Sequence, residues 1–197
     1  MRLSVETGLI LAVDVAAYAL LSVYAPQYLQ PVLFYFVLTI GTAFVIILLS
    51  SYAPLQYTTP ENVVSAFVYS YTNFMVSAVL VSLLYTVFFV QPYSFVRDMV
   101  MPALYYLLVA SGEDLFTYGL PLALEPYMPE HLRYVPYAAF IVLFGLLHYP
   151  SYGNWFMLLQ PLIAAAINMY VVYRYGNISG IILGHFLADL TIISMGV

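Results

Sequence analysis

A chain of 197 residues that is 64% hydrophobic and only 7% charged, with a mean hydropathy of +0.97, is excluded from the water-soluble class, whose members carry about 25% charged residues. The net charge of −5 sets nine acids against four arginines (Arg2, Arg97, Arg133, Arg174), which leaves no basic patch for nucleic acid and no polybasic strip for anionic lipid. Without cysteine there are no disulfides, thiol nucleophiles or thiolate metal sites.

Crossing a hydrocarbon core of about 30 Å takes about 20 apolar residues. By that measure the chain is one domain, residues 1–197, with segments at roughly 7–25, 31–53, 63–90, 99–124, 136–150, 155–174 and 177–196. The fold class expected is all-α: a polytopic transmembrane helix bundle of about seven spans, with a range of six to eight. Arg2 and the apolar run after it have the outline of a signal peptide. Glu6 and Asp14 interrupt that outline and no small-x-small cleavage site follows, so a retained first span is expected. Asp14 receives no catalytic role.

The breaks between segments carry turn chemistry, among them Ala53-Pro54, Gln91-Pro92 and the run from Glu125 to Pro136. Thr59-Pro60-Glu61 reads as a helix start, with proline at the first helical position. The segment it opens is longer than one straight crossing, which calls for tilt or an interfacial first turn. Many of the 21 tyrosines fall at segment ends, Tyr149 and Tyr152 included, as an interfacial aromatic belt requires. A cytoplasmic N-terminus puts Arg2, Arg133 and Arg174 inside and Arg97 outside. The expected location is the cell membrane.

Ionisable groups inside spans are expensive and mark function. Glu113-Asp114 in SGEDLFTYGL, His148 in FGLLHYP, and His185 with Asp189 in LGHFLADL fall on three separate segments. At 1.5 Å of rise per residue, Glu113 lies about 16 Å, His148 about 18 Å, His185 about 12 Å and Asp189 about 18 Å from one side of the bilayer. All four therefore reach the middle of the membrane together. Gly176, Gly180, Gly184 and Ala188 repeat every four residues and form a ridge along which a neighbouring helix can approach closely. His185 and Asp189, also four apart, share a face beside that ridge.

Plainer readings exist for each group. Glu113 suits a structural acid, His148 a satisfied interior histidine, and His185 with Asp189 a helix pair or half a metal site. Asn73 suits interhelical bonding, Glu130 and His131 a solvated loop, and Asn177-Ile178-Ser179 is a short glycosylation sequon. A zinc protease would need HExxH, a rhomboid serine protease GxSG and a presenilin-like aspartyl protease GxGD; none is present.

Glu113-Asp114-xxx-Tyr118, then Phe144-xxx-His148, then His185-xxx-Asp189 resemble the EExxxR, FxxxH and HxxxN/D motifs of the CPBP family of intramembrane glutamic proteases. That family includes type II CAAX prenyl endopeptidases and bacteriocin-processing or immunity proteins. The resemblance covers about residues 100–195, including Gly119. It implies that Glu113, with His148, activates a water, and that His185 and position 189 hold the oxyanion, without cofactor or metal. It also implies peptide or membrane-protein substrates, lipidated or not. Tyr118 stands where the family has arginine and Asp114 where it has a second glutamate. A tyrosine hydroxyl four residues on is expected to bond that aspartate. An ionised Asp189 accepts hydrogen bonds but cannot donate them, so its expected task is to orient His185. Two alternatives remain from the sequence: a non-proteolytic immunity or scaffold protein of the same fold, and an ion or metal carrier.

Overall fold

The computed structural model describes residues 30–49, 60–89, 103–175 and 177–195. The expected first span with Asp14, Arg2, Arg97 and Thr59 lie outside them. Every described element is helical. In chain order they are α1 (Gln30–Leu49), α2 (Pro60–Phe89) and α3 (Ala103–Asp114). A π-turn (Leu115–Gly119) then leads into α4 (Leu120–Leu124). After two 3-10 turns, Glu125–Tyr127 and Glu130–Leu132, come α5 (Val135–Leu147) and the single turn α6 (Tyr149–Tyr152). Last come α7 (Leu159–Tyr175) and α8 (Ile178–Met195). Within the described residues, each predicted segment after the first is largely helical. Among the described residues three stretches are long and apolar enough to cross a membrane: Glu61–Phe89, Glu130–Tyr152 and Phe156–Tyr175. Leu38–Ile47 and Ile178–Ile192 are apolar but shorter.

Two predicted segments are less regular than expected. The first is 99–124, where Pro121 has no N–H to offer the Thr117 carbonyl and its ring crowds that oxygen. The helix widens just ahead of it, and Leu120 N–H reaches back to Leu115 O. The second is 136–150, where the helix ends at His148 rather than running on to Pro150. The Ser151 and Tyr152 N–H groups turn back to the His148 carbonyl.

The glycine ridge decides the central packing. A Cβ on Gly180 would lie 2.4 Å from the Val63 carbonyl oxygen, and one on Gly184 would lie 2.8 Å from that of Phe67. Only glycine lets α8 lie this close to α2. Buried polar side chains tie α2 to α7 and to α8, as the apolar surroundings demand. Asn73 donates to Ala164 O at 2.8 Å and to Asn168 Oδ1 at 2.9 Å, Asn168 donates to Ser70 Oγ, and Ser70 donates to Ile181 O. The interhelical role expected of Asn73 is thus seen. Asn177 is 1% exposed and its Oδ1 caps the Gly180 N–H at 2.7 Å; a side chain so placed is a helix cap. Glu130 and His131 are exposed in the connecting turn.

On the other side of the bundle α1 packs on α3 and the π-turn. Leu38, Val45, Ile46 and Leu49 meet Phe116, Leu120 and Phe140 there. Outward, α2 exposes Val68, Val76, Val79, Leu83 and Val87. Such a face suits a hydrocarbon solvent, in which apolar side chains need no cover.

Candidate active site

Glu113 sits at the end of α3, with 5% of its surface exposed. Its neighbour Gly112 is what admits α1, since a Cβ there would press on Thr39 Oγ1 at 3.0 Å and Leu38 Cδ2 at 3.1 Å. With α1 this close, the Tyr35 hydroxyl donates to Glu113 Oε1 at 2.9 Å. Oε2 is the oxygen that faces the two histidines. It lies 3.9 Å from His148 Nε2 and 3.9 Å from His185 Nε2.

Each imidazole is turned by a bond on its other nitrogen. His148 Nδ1 lies 2.8 Å from Phe144 O. A carbonyl only accepts, so Nδ1 carries the proton there and the neutral ring presents the Nε2 lone pair to the site. The Phe144 ring, 1% exposed, meets the His148 ring edge-on with centroids 4.4 Å apart. His185 Nδ1 lies 3.0 Å from Asp114 Oδ1, and the ring stacks on Phe74 with centroids 4.1 Å apart. Asp189 Oδ2 stands 3.8 Å from His185 Nε2, beyond hydrogen-bond reach.

These groups share one cavity of about 320 Å³, lined by Glu113, Phe144, His148, His185 and Asp189, with Gln160 from α7. The structure thus brings Glu113, His148, His185 and Asp189 to one cavity. Their separations exceed a direct hydrogen bond but suit one bridging water. A carboxylate oxygen facing two imidazole nitrogens at that spacing has the parts to take a proton from water and pass it on. Among the described residues no three His, Asp or Glu side chains are arranged to hold a metal ion.

Two expectations are corrected. The aspartate that bonds His185 is Asp114, wholly buried, and not Asp189. The ring turns its Nδ1 toward α3 and leaves the Nε2 side to its i+4 neighbour. Nor does the Tyr118 hydroxyl bond Asp114: both Tyr118 Oη and Asp114 Oδ2 are buried with no hydrogen-bond partner among the described residues. The π-turn is the reason, because it shifts Tyr118 round the axis from where a regular α-helix would put it. Tyr118 instead packs in the core with Phe144, Tyr137 and Ile181.

Tyr35 and Phe74 were not legible as site residues. Tyr35 is one tyrosine among 21, and its approach to Glu113 depends on how α1 packs. Residues 95–191 match the model of a family described as Rce1-like, type II CAAX prenyl endopeptidase Rce1-like. That segment holds Glu113, Asp114, Tyr118, Phe144, His148, His185 and Asp189, but neither Tyr35 nor Phe74. No curated protein and no solved structure matches the chain.

Proposed function

We propose that this chain, Rce1-like from residue 95 to 191, is an integral membrane endopeptidase that hydrolyses peptide bonds within the bilayer through a water activated by Glu113 and His148. The observation that carries the reading is the position of Glu113 Oε2, 3.9 Å from each of two imidazole nitrogens on other helices, beside a shared cavity. Substrates are peptides or membrane proteins, lipidated or not.

In this reading Glu113 takes a proton as the water oxygen attacks the carbonyl carbon of the scissile bond. The carbonyl electron pair moves onto its oxygen, and charge there is met by hydrogen-bond donors around the cavity. On collapse the C–N bond breaks, and the departing amine receives the proton through Glu113 or His148. His185, anchored by Asp114, keeps its Nε2 toward the same point.

The test uses the purified protein in proteoliposomes with internally quenched peptides, prenylated and unprenylated. Wild-type protein should cleave at least one of them. Glu113→Ala should lower the rate by about 10²–10⁴-fold, the range for a lost general base, with unchanged elution on size-exclusion chromatography. Full activity in Glu113→Ala rejects the reading. The competing reading, a non-proteolytic immunity or scaffold protein on the same fold, draws on the unpaired Asp114 Oδ2 beside a tyrosine where the family carries arginine. It predicts that the cellular phenotype survives both Glu113→Ala and His148→Ala.

A further inference from the structure

The cavity is rich in acceptors. Glu113 and Asp189 bring carboxylates, and the histidine nitrogen facing inward on His148 carries a lone pair. An ionised Asp189 cannot donate to a carbonyl oxygen. Cleavage, however, places negative charge on that oxygen, and a dry site must supply N–H or O–H groups to meet it.

Gln160 brings to the cavity wall a side-chain amide with N–H donors to spare. It is 6% exposed and lies in the first turn of α7, beside Pro161. That end of a helix carries the positive end of its dipole. The Tyr152 hydroxyl donates to Gln160 Oε1 at 2.9 Å. With Oε1 held by that hydroxyl, the NH2 group is the other end of the amide. The amide nitrogen makes no hydrogen bond among the described residues and is not sealed off from the cavity. Tyr152, in turn, has its ring 5.7 Å from that of His148. A single chain of contacts, His148 to Tyr152 to Gln160, thus ties the amide to the imidazole beside Glu113.

We propose that Gln160 is a catalytic residue whose side-chain N–H donates to the carbonyl oxygen of the scissile peptide bond, the task that an aspartate at position 189 leaves undone. The inference rests on the endopeptidase reading. As water adds and the C=O electron pair moves onto oxygen, the amide hydrogen bond shortens and strengthens. When the C–N bond breaks and the carbonyl re-forms, it relaxes. Tyr152 is a positioning residue, since it holds the amide the right way round.

The experiment compares wild type, Glu113→Ala, Gln160→Met, Asp189→Asn and the double variant Gln160→Met/Asp189→Asn in proteoliposomes, with the same quenched peptide. Methionine keeps the shape and removes the donor. Gln160→Met should lower kcat by about 10²–10³-fold, as loss of one oxyanion donor does, while KM moves by less than about twofold, the signature of an interaction made in the transition state. An asparagine at 189 restores an amide donor from α8, so the double variant should recover at least about tenfold over Gln160→Met, a gain of about 1.4 kcal/mol in barrier. A purely structural role for Gln160 would not respond to that change. Wild-type kcat in Gln160→Met, a loss confined to KM, or no recovery in the double variant overturns the inference while leaving the endopeptidase reading in place. Equal rates in wild type and Glu113→Ala overturn both.

Discussion

Glu113 depends on a residue contributed by a helix with no charge of its own. The Tyr35 hydroxyl occupies Oε1, and the Tyr35 ring is steadied edge-on by Tyr105 with centroids 6.0 Å apart. One carboxylate oxygen is thereby tethered and the other is turned to the histidines. A hydrogen bond to a charged group contributes about 1.5–3 kcal/mol. If half of that restraint is needed to reach the transition state, Tyr35→Phe lowers kcat by about tenfold and leaves KM unchanged. Steady-state kinetics on the reconstituted protein checks this, and a change confined to KM would place Tyr35 with substrate binding instead. The acids and histidines could be picked out in the sequence because ionisable groups are rare in apolar helices. Tyr35 could not, because a tyrosine in a span is ordinary.

At the scale of helices, glycines set which elements can touch, and their neighbours set what a substitution costs. The Gly180 position faces backbone, with the Val63 carbonyl oxygen 2.4 Å and the Phe67 nitrogen 2.9 Å from an added Cβ. The Gly145 position faces side-chain atoms alone, Leu162 Cδ2 at 2.4 Å and Cγ at 2.6 Å, which a change of rotamer can move aside. Alanine at 180 should destabilise by about 1–3 kcal/mol, the usual cost of overpacking. Alanine at 145 should be near neutral, since about 1 kcal/mol of helix propensity offsets the small repacking. Unfolding in detergent micelles measures both, and equal effects would show that α8 and α2 can separate at little cost. The four-residue glycine repeat was readable as a packing ridge. Its partner α2 was not, nor was the π-turn, for Pro121 announces a disturbance without saying how the backbone absorbs it.

For the molecule as a whole, the family-like segment 95–191 does not close on itself. Its last helix buries Gly180 and Gly184 against α2, His185 stacks on Phe74, and Glu113 reaches Tyr35. All three partners precede residue 95. A fragment of residues 95–197 expressed alone should therefore fail to give a monodisperse species in detergent, and co-expression with residues 1–94 should restore it. Size-exclusion chromatography decides the matter, and a well-behaved fragment would mean that α1 and α2 are accessories. Composition and periodicity by themselves determined the helical class and the limits of most helices, and led to the expectation that Glu113, His148, His185 and Asp189 meet, because apolar run length and rise per residue are local quantities. Only the tertiary structure decided that Asp114 rather than Asp189 holds His185, that Tyr118 is drawn into the core, that Tyr35 reaches Glu113, and that Gln160 lines the cavity. Those outcomes depend on how each helix is rotated about its axis against its neighbours, and that rotation is set by packing between residues far apart in the chain.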